Sequence, residues 1–378
     1  MVDVLIIGAG FGGAVAGRIL AEKGKKVEII EKRDHIGGNC YDCFDDHGVL
    51  IHKYGPHIFH TKIKEVYDFL SRFTEWYPYK HEVLANVYGT YLPVPFNLNT
   101  LHKVFQEDAD EIEELLVSTY GKESRVPILK LRESSNPKLQ KVADYIYENV
   151  FLNYTMKQWG KKPEEIDPSV TGRVPVLVSY DNGYFQDDYQ GMPKDGFTPL
   201  FEKMLKHENI KVTLSTDAKN VLKLENGKIY RDGKEFNGLV IFTGAVDEFF
   251  DCKYGRLPYR TLHFVSKYFE EDSYQPVAVV NYTVDQDYTR ITEYKKLTGQ
   301  KVKGTSIMEE YPASYTDPLK ETPYYSIAND ENLALYEKYQ KEASSYKNFY
   351  LLGRLAEYKY YNIDGITKKA MELAETLS

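Results

Sequence analysis

The residues best equipped for chemistry lie far apart along the chain. A glycine-rich turn, Gly8-Ala9-Gly10-Phe11-Gly12-Gly13, is followed some twenty residues later by an acid, Glu31. His57 and His60 stand three apart beside a Gly55-Pro56 turn. Arg173 and Arg290 each sit among β-branched and aromatic residues, and only 11 of the 48 basic residues are arginine. Arginine makes the bidentate contacts that diphosphates favour, so each one beside a motif carries weight. Tyrosine is abundant, 33 residues against 2 tryptophans, with clusters at Tyr324-Tyr325 and at Tyr358, Tyr360 and Tyr361. A tyrosine offers a flat apolar face for stacking and a hydroxyl for sugar or phosphate oxygens.

Other chemistries are disfavoured. Cys40-x-x-Cys43 has the spacing of half a metal site, but the chain has no second such pair, and His57-x-x-His60 is shorter than zinc-finger spacing requires. No metal site is expected. Three cysteines, an odd number, argue against a disulfide framework. A net charge of −8 without a long basic run argues against a nucleic-acid surface. No apolar stretch is long enough to span a membrane, and Val4–Ile7 runs straight into the glycine turn rather than into a cleavage site. A cytoplasmic enzyme is the expectation.

The elements that must position these residues are legible at the amino terminus. Val2 to Ile7 reads as a buried strand, the glycine turn leads into a helix with Ala14, Ile19 and Leu20 on one side, and that helix stops near Gly24. A second strand, Val27 to Ile30, delivers Glu31. Strand, G-x-G-x-x-G turn, helix, strand and acid together form a dinucleotide-binding unit. Gly8 permits the tight turn, Gly10 admits a pyrophosphate to the backbone, and Gly13 lets the helix pack on the strand. The helix amino terminus faces the phosphates, and Glu31 meets the ribose hydroxyls.

The residues after Glu31 narrow the cofactor. Lys32-Arg33-Asp34-His35-Ile36-Gly37-Gly38-Asn39 resembles the E-(x)5-G-G motif of the large FAD family that includes amine oxidases, protoporphyrinogen oxidase and the GDI-like proteins. Leu239 to Thr243, running into Gly244-Ala245, and Phe349 to Leu352, running into Gly353-Arg354 and a final helix from about Ile363 to Leu377, resemble its later strands. The chain should therefore leave the FAD domain and return to it.

Six separated motifs then resemble the UDP-galactopyranose mutase family, from Val4 to about Ile363. They are Gly55-Pro56-His57-Ile58-Phe59-His60-Thr61; Phe151, Tyr154, Thr155 and Trp159 on one helix face; Gly172-Arg173 with Asp181-Asn182-Gly183-Tyr184; Tyr288-Thr289-Arg290-Ile291-Thr292-Glu293; Pro323-Tyr324-Tyr325-Ser326-Ile327; and Gly353-Arg354-Leu355 with Tyr358 and Tyr360. The resemblance implies FAD held by Gly8, Gly10, Phe11, Gly13, Glu31, Lys32, Gly38, Asn39, His57, Ile58, His60 and Arg354. It implies a substrate site of Phe151, Tyr154, Thr155, Trp159, Arg173, Tyr184, Arg290, Tyr325, Tyr360 and Asn362, with Tyr154 and Trp159 on the uracil. Arg173 and Arg290 are its expected catalytic residues and meet the diphosphate. Asn362 departs from the pattern, since an acid is expected there.

The implied fold is α/β, a Rossmann-like FAD-binding domain (residues 1–78, 191–255 and 340–378) with an inserted helical domain (97–172) and an antiparallel β-sheet domain (79–96, 173–190 and 256–339). Pro127 and Pro137 break the helical stretch, whose polar helices offer a face for a homodimer. The implied reaction interconverts UDP-galactopyranose and UDP-galactofuranose without net redox. No protein nucleophile stands out, and the resemblance implies that N5 of reduced FAD attacks the anomeric carbon and expels UDP. With one dinucleotide fingerprint in the chain, the reductant is external, such as NAD(P)H. An FAD-dependent amine oxidase-like oxidoreductase is the alternative. It would explain the FAD elements but not paired arginines with aromatic plates. A GDI-like binding protein is disfavoured by intact Gly8, Gly10, Gly13 and Glu31.

Overall fold

A computed structural model describes residues 2–160 and 175–378. Its first layer is a parallel sheet of five strands in the order Ile210–Thr213, Val27–Ile30, Val4–Ile7, Leu239–Phe242 and Phe349–Leu351. Val4–Ile7 is buried along its whole length, as a central strand covered on both faces must be. The chain leaves this sheet after the second strand and returns three times, so the unit is discontinuous, as the later apolar strands suggested. The helix Phe11–Glu22 and the terminal helix Ile363–Thr376 pack along each other on one face.

The second layer is a seven-stranded sheet ordered Tyr325–Ser326, Tyr259–Phe269, Thr305–Ser314, Arg290–Glu293, Val279–Tyr282, Val83–Val87 and Thr90–Val94. All its pairings are antiparallel except that of Val279–Tyr282 with Val83–Val87, which is parallel. Those two strands come from distant parts of the sequence, where a parallel pairing costs no tight turn.

The third layer is helical: Leu98–Phe105, Ala109–Tyr120, Ile128–Arg132, Pro137–Ile146 and Asn153–Trp159. Both prolines mark helix starts. Pro127 precedes the third helix, and Pro137 occupies the first turn of the fourth, where the Asn136 side chain accepts from the Lys138 amide at 2.9 Å. Between the fourth and fifth helices the chain makes a π-helical stretch, Tyr147–Leu152. The expected aromatic stripe begins inside this stretch, where Phe151 is buried in the core beside Tyr147.

Candidate active site

The glycine turn shapes the first of two cavities. Gly8 has φ +106°, and a Cβ there would lie 2.0 Å from Thr243 Oγ1. A Cβ on Gly13 would lie 2.0 Å from the Gly8 carbonyl oxygen, so the helix can seat against the strand only with glycine at that point. Gly10 faces Gly38, its Cβ position 3.7 Å from the Gly38 Cα. Glu31 is buried, accepting from the Ala9 amide at 2.9 Å and the Arg33 amide at 3.0 Å. The cavity measures about 820 Å³, and Gly8, Gly10, Phe11, Glu31, Lys32, Gly38, Asn39, His57 and Arg354 are among its lining residues. Free amides at a helix amino terminus, a narrow glycine passage and a fixed carboxylate at the end of the second strand suit a dinucleotide. Arg33 stacks over Tyr54 at 4.2 Å and donates to Asn39 Oδ1 at 2.9 Å, steadying the rim.

Cys40 also lines this cavity, while Cys43 is half-buried beside it; both are free thiols. Burial pushes the Cys40 thiol up, which keeps it protonated.

A second cavity of about 650 Å³ adjoins the first, and His57, Arg354, Tyr361, Asn362 and Ile363 line both. A ligand in one space would meet a ligand in the other at this junction. Of the three residues of the Gly55–Thr61 motif expected to hold FAD, His57 lies at the junction, whereas Ile58 and His60 line only the second cavity. His60 Nδ1 is 2.5 Å from Asp187 Oδ2, and its ring stacks on Phe185 at 3.5 Å. Burial, with His52 and Arg354 nearby, pushes the His57 imidazole down to about 3, so it is neutral.

The floor of the second cavity comes from the seven-stranded sheet. Arg290 and Glu310 are register partners on neighbouring strands. The guanidinium donates through Nη2 to Glu310 Oε1 at 2.7 Å and Oε2 at 2.8 Å, and through Nε to Oε2 at 3.1 Å. Burial alone would lower the Arg290 pKa, but the Glu310 carboxylate outweighs it, and the guanidinium stays charged. The motifs lead one to expect Arg290, together with Arg173, to offset the diphosphate charge; the charge of Arg290 is already shared with Glu310. Nothing in the motif spacing points to this partner, because the pairing depends on strands twenty residues apart finding one register.

Aromatic walls rise from this floor. Tyr154, Tyr184, Tyr325 and Tyr360 line the cavity. Burial and then Glu310 push the Tyr325 phenol up to about 12, and burial likewise raises Tyr154, so both remain O–H donors. Tyr325 stacks with Tyr360 at 6.1 Å, and the Arg354 guanidinium lies 4.3 Å over Tyr360 while donating from Nε to the Tyr361 carbonyl at 2.7 Å. Trp159 leans on Tyr325 at 5.6 Å but does not line the cavity. Thr155 is buried, and neither it nor Phe151 lines the cavity. Asn362 precedes the terminal helix, yet its side chain makes no capping bond and stays at the junction. Arg173 lies outside the described residues.

The cavity contains further residues that the motifs do not include. His81 is buried between Tyr184 and Phe185, with Nδ1 3.1 Å from the Tyr79 hydroxyl. Burial, then Arg290 and His60, pushes it down to about 3, leaving it neutral. His81, Val83, Ala85 and Val87 alternate inward, and a histidine on that apolar face was the available signal. Asn281 also lines the cavity, with its Oδ1 buried and unpartnered.

These features agree with comparisons to known proteins. A profile described as UDP-galactopyranose mutase matches residues 149–360, and one described as an NAD(P)-binding Rossmann-like domain matches residues 6–73. The chain is 38% identical to a dTDP-fucopyranose mutase of Escherichia coli, covering 99% of this chain and 98% of that protein. It is 37% identical to a probable UDP-galactopyranose mutase of Klebsiella pneumoniae, covering 99% and 94%. In fold it is similar to a crystal structure of a reduced UDP-galactopyranose mutase, with a TM-score of 0.72 at 17% identity over 99% of this chain and 95% of that one. With a dinucleotide cavity opening onto a cavity of arginine and tyrosine, and with full-length relatives sharing more than a third of its residues, the chain belongs to the UDP-galactopyranose mutase family.

Proposed function

We propose that the chain is an FAD-dependent isomerase that interconverts UDP-galactopyranose and UDP-galactofuranose. The observation that carries this reading is the junction of the two cavities at His57, Arg354 and Asn362. A dinucleotide lying along Gly8, Gly10 and Glu31 would end where a sugar in the second cavity begins. FAD fits the first cavity: the glycine cradle has no room for Cβ atoms at Gly8 and Gly13, and Glu31 is set to meet a ribose. When bound and reduced, FAD supplies a nucleophilic N5 that can take the anomeric carbon from UDP and return it without net redox.

The chain's own contribution is to bind, orient and retain. Tyr184, Tyr325 and Tyr360 would donate hydroxyl hydrogens to the diphosphate, and Arg290, held by Glu310, would face it with a fixed guanidinium. Arg173 is the proposed second guanidinium. Tyr154 would stack on the uracil with Trp159 behind, and Asn362 would bond a sugar hydroxyl at the junction. His57 is neutral, so it can line a flavin without adding charge. Phe151, in the core, would support the wall from behind. NAD(P)H would reduce the flavin in transit. Cytoplasmic location and a homodimer through the helical layer belong to the same reading.

One relative acts on a different pair, so dTDP-fucopyranose is a second substrate to try. The test is incubation of dithionite-reduced protein with UDP-galactofuranose and, separately, with dTDP-fucopyranose, following the ring-isomer product by chromatography. Turnover of UDP-galactofuranose only with reduced flavin supports the reading. Equal turnover with oxidised flavin, or turnover of dTDP-fucopyranose alone, would overturn it.

A further inference from the structure

Arg260, which is buried, and Lys157, which is half-buried, stand behind the aromatic wall of the second cavity without lining it, and neither has a carboxylate within ion-pair distance among the described residues. Arg260 is 7% exposed. It donates from Nε to the Gln158 carbonyl at 2.9 Å, from Nη2 to the Lys157 carbonyl at 3.0 Å, and from Nη1 to Ser314 Oγ at 3.1 Å. Lys157 directs Nζ to the carbonyls of Tyr282 at 2.7 Å, Gln286 at 2.8 Å and Tyr288 at 3.3 Å. Removing a guanidinium from water without a counter-ion is costly. The compensation is specific. The Lys157 and Gln158 carbonyls belong to the last turn of the helix Asn153–Trp159, whose final carbonyls have no partner within the helix and carry its negative end.

The position of Arg260 in the sheet gives these bonds a consequence. It pairs with Ser314 on one neighbouring strand and with Tyr325 on the other, and its own carbonyl accepts from the Tyr324 amide at 2.9 Å. One residue therefore joins the strand that carries Tyr325 to the helix turn that carries Trp159, and those two rings meet at 5.6 Å. Gly160, at φ +68°, ends the helix beside the guanidinium; a Cβ there would lie 3.3 Å from Arg260 Nη1. Lys157 fastens the same helix to the segment that leads into Arg290.

We infer that Arg260, assisted by Lys157, is a positioning residue that sets Trp159 against Tyr325 and so fixes the aromatic wall at the spacing that grips the nucleoside diphosphate. Arg260 acts through Trp159 and makes no contact with ligand. The inference rests on the proposed reading of the second cavity as the UDP site.

The experiment is a double-mutant cycle on the FAD-loaded, oxidised protein, with Arg260→Met, Trp159→Ala and the two combined, reading UDP affinity by calorimetry alongside flavin absorbance and the thermal midpoint. Each single change should weaken UDP binding by about tenfold, with flavin absorbance retained. The combination should bind no worse than the weaker single variant, since both remove one wall. If the two losses multiply, or if Arg260→Met lowers the thermal midpoint and leaves UDP affinity intact, Arg260 does not act through Trp159. If Trp159→Ala leaves UDP affinity unchanged, the aromatic wall is not the nucleotide site, and the underlying reading fails with it. Should Arg260→Met not fold, Arg260→Lys, whose ammonium cannot reach both carbonyls and Ser314 together, replaces it in the cycle under the same criteria.

Discussion

Replacing Arg290 by methionine should separate what this residue does for the fold from what it does for a ligand. Three N–H···O contacts join it to Glu310, which is 2% exposed. Removing one partner of such a pair leaves the other charge buried and unpaired, at about 3–5 kcal/mol. With a urea m-value of about 3 kcal/mol/M, the unfolding midpoint of Arg290→Met should fall by roughly 1–1.7 M. Removing both charges, as Arg290→Met/Glu310→Met, eliminates the orphaned carboxylate and should return most of that loss, because well-packed apolar replacements of buried pairs are often neutral. Turnover should not return, since the guanidinium proposed to face the diphosphate is still missing. The assays are urea unfolding followed by circular dichroism, and product chromatography with dithionite-reduced enzyme. A double variant as unstable as the single one would refute the pair as the source of the loss. A double variant that regains turnover would refute the assignment of Arg290 to the ligand.

The same geometry sets the outcome of other substitutions. Gly13→Ala forces a Cβ to within 2.0 Å of the Gly8 carbonyl oxygen, so the purified protein should lack flavin absorbance; a yellow variant would contradict the cradle. Asn362→Ala should lower kcat/KM by about fivefold through one lost hydrogen bond while leaving UDP affinity unchanged, as separate turnover and calorimetric measurements would tell. His52, His57 and His81 are all pushed down to about 3, chiefly by burial, against about 6.5 when unfolded. The unfolded chain therefore takes up protons that the folded one refuses, and stability present above about pH 6.5 is lost as pH falls toward 3. Thermal midpoints across that window should decline less steeply for His81→Asn than for the parent; an unchanged slope would count against a buried neutral His81.

The dinucleotide half of the protein was legible in the sequence because its requirements are local. Gly8, Gly10, Gly13 and Glu31 lie within one strand–turn–helix–strand unit, where sterics and helix geometry act over a few residues, and the structure places all four as their spacing demanded. Tyr154, Tyr184, Arg290, Tyr325, Tyr360 and Asn362 were likewise found by motif, and the structure gathers them around one cavity. Only the tertiary structure decided how those side chains are held. Phe151 lies buried within a π-helical stretch, which amino-acid spacing on an ideal helix does not register. Glu310 becomes the partner of Arg290 through strand register, and Arg260, set in the same sheet, meets the carbonyls of Lys157 and Gln158, a long-range property set by the pairing of the whole sheet. His81 turns neutral because the fold buries it, and burial is a property of the assembled layers. The sequence by itself determined which groups could bind a dinucleotide and a diphosphate. Their charges, spacings and supports were settled when distant strands came into register.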